Sequence, residues 1–175
     1  MRSIVIDMQS GLTARGYERM LLSDMKDCKP IVAGGPEDVV EQCRMFRPYA
    51  LLMEVTCYTP WKLCERLKLW AAVKKLLPGC KCVLAVDENA DVKLADEVAA
   101  CKKNGQIDAF IFTSSSDRYL AALLETLRRA VVGRNAPAKP SLSENGSISV
   151  RLQSWKTKRS FLYHGTALHR KQPNF

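Results

Sequence analysis

The sequence predicts an α/β fold: a doubly wound parallel sheet of five strands, order 2-1-3-4-5, followed by a basic C-terminal extension. Two observations predict it. Over residues 1–132 the apolar period switches between two and 3.6 residues five times, the mark of strands alternating with helices. Three of the strand-like runs, Ile4-Val5-Ile6-Asp7, Ala50-Leu51-Leu52-Met53-Glu54 and Val83-Leu84-Ala85-Val86-Asp87, stay apolar until they end in a carboxylate. Continuous apolar runs of this length are strands buried on both faces of a parallel sheet. Ligand groups in open α/β sheets lie just beyond the carboxyl ends of such strands. Asp7, Glu54 and Asp87 are therefore expected along one edge.

The elements follow in order. Strands are expected at 3–7, 30–33, 50–54, 82–87 and 109–113, each followed by a helix. The first helix spans about 13–24, with Tyr17, Met20 and Leu21 inward. The second is expected from Pro36, a favoured first-turn residue, with Val39, Val40 and Cys43 inward. For the third, Thr59 is the expected cap and Pro60 the first position; Leu63, Leu67, Trp70 and Leu77 recur at helical spacing before Pro78-Gly79. The fourth follows Asp91, with Leu94, Ala95, Val98 and Cys101 on one face, and stops at Asn104-Gly105. The fifth follows Ser116 and carries Leu120, Leu123, Leu124, Leu127 and Val131. Five units are too few for a closed eight-stranded barrel.

After Gly133 the pattern ends. Residues 133–146 have linker composition, rich in Pro, Ser, Asn and Ala. Residues 147–175 form a basic tail in which 147–155 and 160–163 alternate as a short β-ribbon would. Eight basic residues beyond Gly133 stand against Glu144 alone, giving the tail +7, whereas residues 1–133 carry 19 basic and 17 acidic residues, or +2. Arg151, Lys156, Lys158 and Arg159 interleave with Trp155, Phe161 and Tyr163, a pattern suited to phosphate and base contacts on single-stranded nucleic acid.

Composition excludes several classes. No apolar run approaches the ~18 residues of a membrane span, and seven cysteines without framework spacing point to reduced thiols in the cytoplasm. Cys80 and Cys82 share one side of a strand, but no CxxC or His/Cys cluster completes a metal site. Ser114–Ser116 lack a histidine partner nearby, since His164 and His169 lie in the tail, so a capping role is expected. No Gly-rich phosphate loop follows the first strand. Trp61, near the acidic edge, is placed to lid it.

Over residues 1–132 the chain resembles the receiver domain of bacterial response regulators, which have a flavodoxin-like (CheY-like) fold. The resemblance rests on Ile4-Val-Ile-Asp7, on Arg47-Pro-Tyr-Ala-Leu-Leu-Met-Glu54 and on Ile107-Asp-Ala-Phe-Ile-Phe-Thr113. It implies a module of two-component signalling and phosphorelay, in which an aspartate after the third strand accepts a phosphoryl group, acidic residues hold Mg²⁺, and a hydroxyl and a lysine bind the phosphoryl oxygens. Matched to those positions, this chain has Glu54 for the acceptor, Asp7 followed by Met8 for the acidic pair, Asp87 for the hydroxyl and Thr113 for the lysine. No lysine occurs between Gly105 and Arg118. A phosphoryl group carries about −1.5 to −2 charge and needs cations or donors, which these residues do not supply.

The expectation is therefore a non-enzymatic pseudo-receiver that regulates through protein–protein contact. The resemblance places its interface on the fourth helix, fifth strand and fifth helix, near Phe110, Phe112 and Tyr119, and implies a homodimer there. Two alternatives stand beside it: a phosphorylatable response regulator, and a nucleic-acid-binding regulator acting through the tail. A divalent cation on Asp7, Glu54 and the Thr56 carbonyl is a further expectation, because oxygen ligands suit Mg²⁺ or Ca²⁺.

Overall fold

A computed structural model of the chain describes residues 2–87 and 92–133. Five strands alternate with five helices: β1 (Arg2–Asp7), α1 (Gly11–Asp24), β2 (Cys28–Val32), α2 (Val39–Phe46), β3 (Ala50–Val55), α3 (Leu63–Leu76), β4 (Lys81–Val86), α4 (Val92–Lys103), β5 (Ala109–Phe112) and α5 (Asp117–Gly133). All strand pairs are parallel and the order is β2-β1-β3-β4-β5, as the alternation predicts. The linker and tail beyond residue 133, including Arg151, Lys156, Lys158 and Arg159, lie outside the described residues.

The pleat sorts side chains into two layers. Val5, Leu51, Met53, Cys82, Leu84 and Val86 face one way and pack on Val39 and Cys43 of α2, Trp70 and Val73 of α3, and Val98 and Cys101 of α4. Ile4, Ile6, Ala50, Leu52, Val83 and Ala85 face the other way, onto Ala14 and Leu21 of α1 and Leu120 and Leu124 of α5. This is the three-layer arrangement that a sheet buried on both faces requires.

Two helix starts differ from the sequence expectation. Pro36 lies in a turn, where the Asp38 amide donates to the Gly35 carbonyl at 3.1 Å, so α2 begins three residues later. Thr59 and Pro60, joined by a cis peptide bond, belong to the loop before α3, which starts at Leu63 with Lys62 as its cap residue. That loop is closed by the Thr56 amide, which donates to the Trp61 carbonyl at 2.9 Å, and by the Tyr58 amide, which donates to Thr56 Oγ1 at 3.2 Å. At the end of α4, Gly105 adopts φ +72°, and the Gln106 amide donates back to the Cys101 carbonyl at 3.0 Å. This left-handed cap explains why the helix stops there.

At the amino edge of the sheet, Lys81 Nζ pairs with Asp108 Oδ1 at 2.7 Å, and Asp108 Oδ2 accepts from the Cys82 amide at 2.9 Å. Trp70 Nε1 donates to the Gln106 carbonyl at 3.1 Å and fixes α3 to the segment before β5. Five cysteines are buried and two, Cys57 and Cys64, are exposed. Burial pushes the Cys80 thiol up to about 12, in keeping with a small apolar filler.

Leu52 is fully buried on the α1/α5 side of the central strand, whereas Leu12 is 85% exposed. Leu52→Ala should lower stability by about 2–5 kcal/mol and Leu12→Ala by less than about 0.5 kcal/mol, read from urea midpoints.

Candidate functional site

The carboxyl edge gathers the predicted acids, but not as one cluster. Asp7 ends β1 and shares the pleat direction of Val5, toward α2–α4; Glu54 shares that of Ala50 and Leu52, toward α1 and α5. The alternation thus starts the two side chains on opposite faces of the sheet, while the Glu54 charge still acts on both Asp7 and Arg66. Asp7 is 1% exposed. Glu54 is half-buried, and its Oε2 accepts from the Gln9 amide at 2.6 Å. Burial, then the negative charges of Glu54 and Asp117, push the Tyr17 phenol of α1 up, in keeping with Glu54 facing that helix. Asp87 is exposed just past β4, and half-buried Thr113 follows β5, its amide donating to the Val86 carbonyl at 3.0 Å. Phe110 and Phe112 are half-buried against the α2–α4 layer, with rings 5.7 Å apart at 83°, and Tyr119 is 54% exposed on α5.

The residue that organises the edge is Arg66, which the sequence reading passed over. It is 0% exposed. Its Nη1 donates to Asp7 Oδ2 at 2.5 Å and its Nε donates to the Glu54 backbone carbonyl at 2.9 Å. One guanidinium thus ties α3 to the ends of β1 and β3. The Trp61 ring lies over it, 5.8 Å from centroid to Cζ, so Trp61 does cover this edge, from the loop rather than from the helix. A signal was present in the sequence: 63, 66, 70 and 73 are one helical stripe, and Arg66 is its one charged member.

This geometry does not fit a divalent cation on Asp7, Glu54 and Thr56. The guanidinium already supplies the positive charge beside Asp7, and the Glu54 carboxylate accepts from the Gln9 amide. Among the described residues, no group of three or more His, Cys, Asp or Glu side chains is arranged to hold a metal ion. Among the described residues, Asp7 Oδ1, Arg66 Nη2 and Trp61 Nε1 are buried with no hydrogen-bond partner, so both charged groups are incompletely solvated there. Desolvation accordingly raises Asp7 above its ordinary 3.8, with Arg66 opposing, and lowers Arg66, with Asp7 opposing.

No protein-family model matches the sequence, and no curated protein sequence matches it significantly. Solved structures do match the fold. A response regulator receiver domain protein (CheY-like) from Methanospirillum hungatei superposes with a TM-score of 0.56 at 16% identity, covering 77% of this chain and 96% of that one. A response regulator from Thermotoga maritima gives 0.59 at 13% identity, covering 73% and 97%. A CheY-like protein (TadZ) from Pseudomonas aeruginosa gives 0.55 at 17% identity, covering 73% and 99%.

Two predictions follow from the ion pair. Arg66→Met strands the buried Asp7 carboxylate and should lower stability by about 3–5 kcal/mol; adding Asp7→Leu should recover most of that loss, as measured by urea unfolding. Because the folded state holds the Asp7 proton more tightly than the unfolded chain, the stability linked to this group is full below about pH 3.8 and declines as pH rises through the raised value. Urea midpoints of Asp7→Asn against pH should lack that decline.

With five parallel strands in the order β2-β1-β3-β4-β5 and these structural matches, the chain carries the fold of the response regulator receiver domain.

Proposed function

We propose that this chain is a pseudo-receiver: a signalling module that keeps the receiver fold, acts through protein–protein contact and takes no part in phosphoryl transfer. The observation that carries this reading is the buried Arg66–Asp7 pair. Phosphoryl transfer to a carboxylate builds negative charge that a mobile cation and a free lysine must meet. Here the available cation is fully buried and already committed to Asp7 and to the Glu54 backbone. Thr113 offers no cation at the lysine position, and Asp87 adds negative charge at the hydroxyl position. Glu54 itself carries a standing negative charge at the acceptor position, held toward α1 by the Gln9 amide.

A partner would then read a fixed surface. The α4–β5–α5 side supports that role, with Tyr119 and Val92 both exposed and a basic cluster of Lys102 and Lys103 at the end of α4. A second copy of the chain is the partner proposed for it.

Incubation with acetyl phosphate and Mg²⁺, followed by intact-mass measurement beside an ordinary receiver, should leave this protein unmodified while the control gains a phosphoryl group. A stoichiometric adduct on this chain would refute the reading. Light scattering across a concentration series should show a rising mass that Tyr119→Glu abolishes; a constant monomer mass would remove the second-copy assignment.

A further inference from the structure

The edge opposite to Glu54 contains a cleft of about 400 Å³ between the start of β1, the α1–β2 turn and the last turns of α5. That volume lies within the range of small-ligand sites. Tyr49, 7% exposed, lines it, and its hydroxyl is buried with no hydrogen-bond partner among the described residues. An unpartnered buried hydroxyl is unfavourable, and so marks a position where another polar atom would be stabilising.

The walls have a specific chemistry. Arg2 and Lys26 line one side and form no ion pair among the described residues. Arg129 lines the other; it is 79% exposed and, among the described residues, donates from Nε to Glu125 at 3.1 Å. Glu125 is occupied by Arg128, which grips both of its oxygens at 2.5 Å; those bonds, Arg128 foremost, pull its carboxyl down to about 2. Two further carboxylates, Asp24 and Asp27, line the cleft with the small apolar Ala121 and Ala122.

Cations on both walls suit a phosphate, which Arg and Lys bind through charge-assisted hydrogen bonds. Carboxylates beside them suit vicinal hydroxyls, as acidic residues do toward ribose. Small apolar residues suit a flat ring or a sugar face. A plain anion would use the cations and be repelled by Asp24 and Asp27; a neutral sugar would use the acids and leave the cations idle. A ligand bearing both groups uses the whole lining.

We propose that this cleft is a binding site for a sugar phosphate of nucleoside-monophosphate size, with Arg2, Lys26 and Arg129 on the phosphate, Asp24 and Asp27 on the sugar hydroxyls, and the Tyr49 hydroxyl on a further polar atom. The site lies at the other end of the sheet from Arg66 and Glu54, and does not depend on whether the protein accepts a phosphoryl group.

The test is thermal unfolding and titration calorimetry of the full chain with four probes: a nucleoside monophosphate, ribose 5-phosphate, ribose and inorganic phosphate. The two phosphate esters should raise Tm at millimolar concentration, and ribose and inorganic phosphate should do so much less. Equal response to inorganic phosphate, or no response to any probe, would overturn the proposal. Arg129→Glu, an exposed change, should weaken the ester about tenfold or more, a loss of ~1.4 kcal/mol or greater. Undiminished binding in that variant would move the site elsewhere, the basic tail included, and overturn the assignment. Tyr49→Phe removes a hydroxyl that has no partner among the described residues, so Tm without ligand should stay or rise while affinity falls about fivefold. Unchanged affinity would remove Tyr49 from the site. Glu54→Gln should leave all four titrations unaltered, which separates this result from the outcome of the phosphorylation experiment.

Discussion

The carboxyl edge of this sheet depends on one buried guanidinium. Arg66 reaches from α3 to a carboxylate at the end of β1 and a carbonyl near the end of β3, so three elements from different parts of the chain share one charge. Neither ion reaches water. Such a pair adds little net stability relative to well-packed apolar residues, but breaking it leaves a lone buried charge. Its effect is therefore to exclude alternatives: α3 has one position in which the two ions meet. The loop from Thr56 to Lys62 is spanned between β3 and this anchored helix, and the Trp61 ring is held over the guanidinium as a result.

The opposite edge solves a similar problem with partial exposure. Lys81 and Asp108 clasp β4 to the start of β5, and Asp108 also accepts an amide of β4. β5 has four residues and, among the described residues, pairs with β4 alone, so a clasp at its entry limits slippage in register. Between the two edges the strands are almost wholly apolar and face helices on both sides. Charge is thus confined to the ends of the sheet, where the chain turns and where one set of groups is internally neutralised and the other lies open.

Most of the fold was legible because parallel strands buried on both faces leave unbroken apolar runs, and because helices of amphipathic spacing separate them. Pro36 and Pro60 both misled, each in a different local setting. Proline suits the first turn of a helix and also the second position of a turn, and for Pro36 only the Asp38 amide on the Gly35 carbonyl decides between the two; Pro60 instead lies in the loop that the Thr56 amide closes on the Trp61 carbonyl. At the candidate site, the acids were legible as strand ends, but their grouping was not. Residue identity places Asp7 and Glu54 at one edge, whereas pleat parity, which depends on register with the neighbouring strand, starts their side chains on opposite faces. Arg66 was missed because charged residues on a helix are ordinarily assigned to its wet face; its position in the 63-66-70-73 stripe is the feature that contradicts that habit.

The composition of β2 has a consequence for how the sheet ends. β2 is an outer strand, and Pro30, aligned with Ile4 of β1, sits in its middle. Proline has no amide hydrogen, so this rim lacks a donor at the point where an added strand would need it. The far rim, β5, carries Ala109-Phe110-Ile111-Phe112 and has no proline. The two borders of the sheet are therefore unequal toward strand addition: one is chemically blunted, and any growth of the sheet by an extended peptide would be directed to the other.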